Sequence, residues 1–207
     1  NSVLGLPKNT ELYKQLPKKA IYTKFQMNTA AKDKIDSDIA RISIVNEISS
    51  ARINIAEGET VKSFYVLSVT LKKREFDEKN IITVSKLIPQ NMLMILEYDG
   101  QARLAVYHSK LMLTEWQKTE SFLIELKGLD LDRVWENIIV QIGQIQVSGG
   151  NTLDEQIELD EKKAKLQKEI VRLEKAARSE KQPKRKFDLV SRMNVLKKQL
   201  VELNKKD

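Results

Sequence analysis

The sequence predicts an α+β protein, in which a mixed, mostly antiparallel sheet with helices on one face precedes a C-terminal antiparallel coiled-coil helical hairpin. Three observations lead to this fold class. Runs with the period of strands alternate with runs of helical period over residues 1–147. The dipeptide Asp99-Gly100 separates two apolar runs, which is a strong β-hairpin signal. In residues 153–207, the apolar positions of two helical runs mirror each other about Pro183.

The first elements are expected to be helical. Residues 6–11 have the composition of a loop, and residues 12–16 are expected to form a short helix that Pro17 ends, because proline cannot continue a helix. Thr29 can cap a second helix that runs to about Arg41.

The next stretch predicts the start of the sheet. The isoleucines of residues 42–48 fit either a strand or the end of the preceding helix, and both interpretations stay open. Residues 63–71 are rich in β-branched and aromatic side chains, which indicates a strand. Residues 77–87 follow as a predicted helix, closed by Pro89.

The second half of the sheet is organised around the Asp99-Gly100 turn. Both central residues of a type I′ turn need positive φ, and Asp-Gly is a preferred pair for them. Residues 92–98 and 102–107 are therefore the predicted strands on either side of this turn. A third strand is expected at residues 111–116 and a fourth at residues 121–126.

One further helix and a hinge are predicted before the hairpin. Asp130 can cap a helix that runs to about Gln144, with apolar residues on one face. Residues 148–152 contain two glycines and predict a flexible hinge. The sequence therefore predicts a globular domain over residues 1–147 and a helical hairpin over residues 153–207.

The hairpin has a predicted seam and a predicted register, with its tip at about residues 179–186. If the chain folds back at Pro183, four apolar pairs face each other. These pairs are Ala177 with Leu189, Leu173 with Met193, Ile170 with Leu196, and Leu166 with Leu200.

Charge is distributed unevenly along the hairpin. The net charge of the chain is +7, and residues 151–207 hold 16 Lys/Arg against 11 Asp/Glu. Residues 154–161 carry five acids and no base, whereas residues 172–198 carry ten bases and three acids. The hairpin is thus predicted to be acidic at its root and basic at its tip.

The basic tip is the clearest candidate for a nucleic-acid contact, since clustered lysines and arginines can neutralise several phosphates. The candidate residues are Arg178, Lys181, Lys184, Arg185, Lys186 and Arg192. Phe187 is the one aromatic residue among them, so base stacking is not predicted. A solvated charged tip and a protein-docking arm are the alternative interpretations.

Candidates for catalysis are weaker. Glu97 and Asp99 lie two residues apart, and these carboxylates could hold a divalent metal for phosphodiester cleavage. Lys110 on the partner strand, or Lys72 at a strand end, would complete the set. The simpler interpretation is that Asp99 serves the turn and that Glu97 is a polar surface residue. A nuclease would normally show Glu-x-Lys on the neighbouring strand, and Thr70 stands where its acid should be. The single histidine, His108, is expected at the rim of a strand.

Composition narrows the function classes further. The chain has 207 residues, 41% of them hydrophobic and 31% charged, and it has no cysteine. Disulfides, thiolate zinc sites and cysteine nucleophiles are therefore excluded, and we predict no metal and no cofactor. No apolar run is long enough for a membrane helix and no signal segment is evident, so a cytoplasmic location is expected.

Several short segments together resemble a bacterial family described only as domain of unknown function 4391. The segments that carry the resemblance are residues 6–11, 53–58, 96–100, 114–116, 126–132 and 180–186. Members of that family are typically encoded beside DNA methyltransferases and helicases of restriction or phage-defence loci. The resemblance therefore implies a role in such an assembly, and it brings no established catalytic residues.

We expect a non-catalytic accessory or adaptor subunit of a bacterial DNA-processing assembly, with the basic-tipped coiled-coil arm contacting DNA or a partner protein. A helicase or methyltransferase is the expected partner, and no membrane is involved. Two alternatives stay open. One is a metal-dependent or degenerate nuclease that uses Glu97 and Asp99. The other is a structural homodimer formed through the hairpins.

Overall fold

A computed structural model describes residues 3–205 of the chain. It divides into two compact units, one ending at Gln144 and the other beginning at Ile145. They are called the globular unit and the hairpin unit, and each is described by itself.

The globular unit contains seven strands and five α-helices within the described residues. The strands are β1 (Glu11–Leu16), β2 (Ile39–Ser49), β3 (Ser63–Leu71), β4 (Asn91–Tyr98), β5 (Gln101–His108), β6 (Lys110–Leu113) and β7 (Gln117–Lys118). The helices are α1 (Lys18–Lys24), α2 (Thr29–Asp38), α3 (Ser50–Ile53), α4 (Glu78–Ser85) and α5 (Leu131–Gly143).

The strands form one mixed, mostly antiparallel sheet, which confirms the predicted class. Its order is β1-β2-β3-β4-β5-β6, and β7 also pairs with β5. Strands β3 and β4 are parallel because α4 carries the chain back between them, whereas the other neighbouring pairs are antiparallel. The Asp99-Gly100 turn joins β4 to β5 with φ of 49° and 72°, as a type I′ turn requires.

Both faces of the sheet are covered. Tyr65 on β3 packs against a core cluster that includes Ile21 of α1, Ile35 of α2 and Ile81 of α4. The preceding residue, Phe64, points to the opposite face, and its ring centre lies 5.1 Å from that of Trp135 on α5. Helix α5 therefore adds a cover on the face opposite to α1, α2 and α4, and β4 is consequently buried on both sides.

Helix α2 is shorter than predicted. Its cap is Asn28, whose side chain accepts a hydrogen bond from the backbone N–H of Ala31 at 2.9 Å, and not Thr29. The helix ends at Asp38, not at about Arg41, because β2 begins at the next residue and pairs with β3 along its whole length. The isoleucines of residues 42–48 accordingly belong to a strand.

The predicted first helix, residues 12–16, is wrong. These residues form β1, an edge strand that pairs with β2 and has an irregularity between Glu11 and Lys14. Leu12 and Leu16 are partly buried against the core. A spacing of four residues places two side chains on one face in either a helix or a strand, so this spacing could not decide between them.

The predicted fourth strand, residues 121–126, is also wrong. The backbone N–H of Ile124 donates to the carbonyl of Leu4 at 3.0 Å. The side-chain amide of Gln141 accepts from the N–H of Glu125 at 3.1 Å and donates to its carbonyl at 3.0 Å. Because a helix side chain satisfies the Glu125 backbone, this segment does not enter the sheet.

The hairpin unit consists of two long helices that pack against each other, α6 (Leu153–Ser179) and α7 (Pro183–Asn204). Thr152 caps α6 by accepting from the N–H of Glu155 at 3.2 Å, and Pro183 is the first residue of α7. The predicted helical hairpin is thus confirmed. Across residues 3–205, none of the helices combines the length and the apolar character needed to cross a membrane.

Candidate nucleic-acid interface

The side chains predicted to form the seam of the hairpin are buried or half-buried. Ile170, Leu173 and Ala177 of α6 are 4%, 1% and 5% exposed. The other five predicted seam residues are half-buried: Leu166, Leu189, Met193, Leu196 and Leu200. A groove of about 450 Å³ has Leu166 of α6 and Leu203 of α7 among its lining residues, so the start of the seam lies beside the end of α7. The four facing pairs within the seam stay a prediction.

The turn at the tip is held by a side chain. Glu180 follows the end of α6, and its carboxylate accepts a hydrogen bond from the backbone N–H of Gln182 at 2.8 Å. Pro183 then starts α7, where its missing N–H costs nothing because the first helical N–H groups have no partner within the helix. The basic residues on both sides are therefore presented by two helix ends and a short, fixed connection.

Five basic residues at and near this turn are exposed and form no close ion pair within the described residues. They are Lys181, Lys184, Arg185, Lys186 and Arg192, named here the tip cations. Within residues 3–205, no carboxylate lies within 4.0 Å of their charged nitrogens. A cluster of this kind concentrates positive potential at one end of the hairpin.

Arg178 and Arg192 have acidic neighbours of different kinds. Arg178 donates to Glu174 at 2.8 Å, one helical turn before it, so its charge is partly neutralised. Arg192 of α7 acts on Glu169 of α6 at longer range. The pKa of Glu169 is lowered chiefly by its hydrogen bond from Arg172, and the charge of Arg192 lowers it further. This coupling across the two helices was not predicted from sequence.

The root of the hairpin is organised by Gln156, which the sequence did not single out. This side chain is 3% exposed, and its oxygen accepts from the backbone N–H of Ser148 and from the Asn151 side chain, both at 3.1 Å. Its nitrogen donates to Asp160 at 2.9 Å. The glycine-containing segment before α6 is thereby attached to the first turn of that helix.

Glu97, the first of the weak catalytic candidates, lies beside a cavity. Glu97 lies on β4 and is half-buried, and burial raises its pKa, against a hydrogen bond with Ser68 and the charge of Arg41. It lines a cavity of about 430 Å³ together with Ile95 and Phe122, among others. Thr119 and Glu120 also line this cavity, so its wall is partly polar.

Asp99 does not continue the strand geometry on which its proposed pairing with Glu97 rested. Strand β4 ends at Tyr98, and Asp99 is an exposed residue of the turn with positive φ. Lys110 begins β6, and His108 ends β5, so the histidine does lie at a strand end. In the part of the chain that the structure describes, no three His, Asp or Glu residues are grouped closely enough to hold a metal ion.

An unexpected carboxylate site connects residue 132, in a segment that carries the family resemblance, to residues 59–61, which follow another such segment. Asp132, at the start of α5, accepts hydrogen bonds from the backbone N–H groups of Glu59 at 2.9 Å and Val61 at 2.6 Å. These bonds lower the pKa of Asp132, with the Val61 bond contributing most. A Cβ on Gly58 would lie 2.1 Å from the Asp132 Oδ1, so this glycine leaves space for the carboxylate. Its role is structural.

Arg52, the residue before the segment 53–58, connects to Asn9 in the segment 6–11. Its Nη1 donates to the carbonyl of Asn9 at 2.8 Å, and its Nε donates to Glu47 at 3.1 Å. Asn9 returns a hydrogen bond from its side chain to the carbonyl of Arg52. Asn9 and Asp132, which lie in segments that carry the resemblance, thus hold distant loops of the chain together.

Comparison with known proteins places the chain in a family without assigning an activity. None of the curated proteins and none of the solved structures compared with the chain matches it. The family model described as Domain of unknown function (DUF4391) matches residues 4–200, which include the sheet, α5 and almost the whole hairpin. The chain therefore belongs to the DUF4391 family.

Proposed function

We propose that this protein is a non-catalytic accessory subunit of a bacterial DNA-processing assembly, in which the hairpin contacts DNA through its basic tip. The observation that carries the proposal is the cluster of tip cations at one end of a two-helix arm. Helices on both sides of a fixed turn present these residues, and no acid among the described residues pairs with them at close range.

Electrostatics supports a phosphate partner. Each lysine or arginine that neutralises a phosphate releases condensed counterions, and this release supplies most of the free energy of non-specific DNA binding. Arg178 would add to the tip cations, because an exposed ion pair such as Arg178 with Glu174 contributes only about 0.3–0.5 kcal/mol and a phosphate can replace its carboxylate.

A protein partner is supported by the outer surface of α7. Phe187, Val195 and Val201 are 71%, 55% and 52% exposed, and none of them belongs to the seam. Such residues can contribute to a contact with a larger protein of the assembly. The genomic neighbourhood that the family resemblance implies favours a helicase or a methyltransferase of a restriction or phage-defence system.

The proposal is tested by binding of the full chain to a fluorescently labelled 20-base-pair duplex at low salt. We expect Lys184→Gln/Arg185→Gln/Lys186→Gln to weaken binding by about tenfold or more, because three phosphate contacts are removed. The matched control, Lys162→Gln/Lys165→Gln/Lys168→Gln, loses the same charge from exposed lysines of the same hairpin nearer its root.

Equal affinities of the two triple variants would contradict a tip-specific contact, and so would a wild-type protein that does not bind the duplex at low salt. Light scattering of the wild-type protein addresses the alternative in which hairpins of two copies pair. A monomer at micromolar concentration excludes the homodimer, whereas a dimer that persists in the tip variant would favour it over the DNA contact.

A further inference from the structure

Three side chains of the globular unit form a cluster around one indole ring. The guanidinium carbon of Arg74 lies 5.1 Å from the ring centre of Trp116, and that of Arg103 lies 5.9 Å from it. Arg74 follows β3, Arg103 belongs to β5, and Trp116 follows β6. The indole thus lies within cation–π distance of two positive charges from different elements. These residues are named the arginine–tryptophan cluster.

Each guanidinium is also held by a neutral oxygen. Nη1 of Arg74 donates to the side-chain oxygen of Gln101 at 2.9 Å, and Nε of Arg103 donates to the carbonyl of Thr114 at 2.7 Å. The hydroxyl of Thr114 accepts from the backbone N–H of Leu104 at 2.9 Å, which fixes the position of that carbonyl. Because a guanidinium has five N–H donors, most donors of both arginines are left for another acceptor.

In the described part of the chain, no acid forms an ion pair with the two arginines of the cluster. Lys72 and Lys73, the residues before Arg74, form ion pairs with Asp36 at 3.3 Å and Asp38 at 3.0 Å. Arg74 and Arg103 differ from these lysines, since no carboxylate among residues 3–205 lies within 4.0 Å of either guanidinium.

The nearest acids in sequence are exposed and do not change this balance. Glu75 and Glu115 adjoin Arg74 and Trp116, and neither forms an ion pair with the two arginines in the described structure. Two like charges close to one ring repel each other, and an anion bound to either guanidinium would reduce that repulsion.

We propose that the arginine–tryptophan cluster is a second phosphate-binding site, located in the globular unit and separate from the hairpin tip. Arginine binds phosphate oxygens through paired, parallel N–H groups, and stacking on an aromatic ring fixes the plane in which those groups lie. Since both side chains are already ordered, binding costs little side-chain entropy. The phosphate belongs either to a nucleic-acid backbone or to a free nucleotide.

The test measures binding of the full chain to the labelled duplex, and separately the quenching of tryptophan fluorescence by inorganic phosphate and by ATP without metal. We expect Arg74→Gln/Arg103→Gln to weaken duplex binding about tenfold at low salt and to lower the slope of log K against log salt by about 2. The control Lys24→Gln/Lys79→Gln removes the same charge from exposed lysines of the globular unit and is expected to bind like the wild type.

The outcomes separate the two sources of phosphate. Duplex binding that depends on both arginines, without an effect of ATP, identifies a nucleic-acid backbone. Quenching by ATP or inorganic phosphate that the double variant loses identifies a free phosphate ligand. The proposal is overturned if the double variant matches the Lys24/Lys79 control in every assay, because the stack would then have only a structural role.

Two further variants keep the test decisive if the double variant does not fold. If the double variant is unstable, Arg74→Gln alone is measured, because Arg74 is exposed and the bond between Arg103 and Thr114 is then kept. Arg103→Lys keeps the charge but not the paired donors, and we expect it to restore binding only in part. Repeating the titration in the tip triple variant distinguishes this site from the tip, since binding that remains there should require Arg74 and Arg103.

Discussion

The carboxylate of Asp132 accepts a hydrogen bond from the backbone N–H of Val61 at 2.6 Å, although 71 positions separate the two residues. The same carboxylate accepts from Glu59 at 2.9 Å and lies 3.2 Å from the backbone nitrogen of Thr60. Three consecutive N–H groups of one loop thus converge on the first turn of α5, which covers one face of the sheet. This attachment leads to the first two predictions.

Asp132→Asn should destabilise the globular unit at pH 7, because the amide has one acceptor oxygen and no charge for three donors. The native carboxylate has a lowered pKa, so its contribution is fully present above its ordinary pKa of 3.8 and is lost as the pH falls through the lower folded value. Urea unfolding followed by tryptophan fluorescence should show a difference in stability between wild type and variant that narrows below pH 3.8. Asp33→Asn, on the exposed surface of α2, is the control. A gap that widens in acid would contradict this explanation.

Gly58→Ala should destabilise the same unit by about 1–3 kcal/mol, because the new methyl group overlaps the Asp132 carboxylate. Gly149→Ala is the matched control, since nothing lies within 4 Å of its Cβ position. In an Asp132→Ala background the cost at Gly58 should fall, and the same urea experiment measures it. Additive effects of the Gly58 and Asp132 substitutions would show that the two residues do not compete for this space.

Glu97→Gln should stabilise the globular unit at pH 7, because it removes a charge that burial disfavours. Burial raises the folded pKa of Glu97 above its ordinary value of 4.5. The corresponding stability is therefore fully present below pH 4.5 and is lost as the pH rises through the folded value. The advantage of the variant should be largest near neutral pH and should disappear below pH 4.5 in urea titrations. A less stable variant at pH 7 would mean that the contacts with Ser68 and Arg41 outweigh the cost of burial.

The register of the hairpin can be tested directly because the chain has no cysteine. Leu173→Cys/Met193→Cys should form a disulfide within one chain under mild oxidation, since the mirrored seam places these positions opposite each other. Leu173→Cys/Val201→Cys, with the second site two helical turns further along α7, should not. Electrophoresis without reductant distinguishes the products. Disulfides formed only between chains would show that the seam is shared by two molecules.

Local signals in the sequence predicted much of the fold. The β-branched run at residues 63–71 is β3, Asp99-Gly100 is the predicted turn, and Asp130 caps α5 by accepting from the N–H of Arg133 at 2.9 Å. The mirrored apolar positions predicted the hairpin. In each case the physical cause lies within a few residues or within one repeated pattern.

The errors arose where distant parts of the chain decide the structure. Residues 12–16 form a strand because the edge of β2 offers them backbone partners. Glu125 is kept out of the sheet by Gln141, a side chain 16 positions away. No local pattern contains this information, since the competing hydrogen bonds exist only in the folded chain.

The sequence predicted only those parts of the candidate sites that depend on neighbouring residues. The basic tip follows from composition and from the turn at Pro183, both of which are local. The ion pair of Arg178 with Glu174 could also be predicted, because residues four positions apart lie on the same face of a helix. In contrast, Arg74, Arg103 and Trp116 come from three separate elements, and only the folded sheet brings them together.

The most direct test of the proposed DNA contact is the salt dependence of duplex binding by the full chain. Each phosphate contact contributes about 0.9 to the slope of log K against log salt, so Lys184→Gln/Arg185→Gln/Lys186→Gln should lower the slope by about 2.7. The root variant Lys162→Gln/Lys165→Gln/Lys168→Gln should keep the wild-type slope. A tip variant that keeps the wild-type slope would contradict a DNA contact at the hairpin tip. A root variant whose slope falls more than that of the tip variant would contradict it as well.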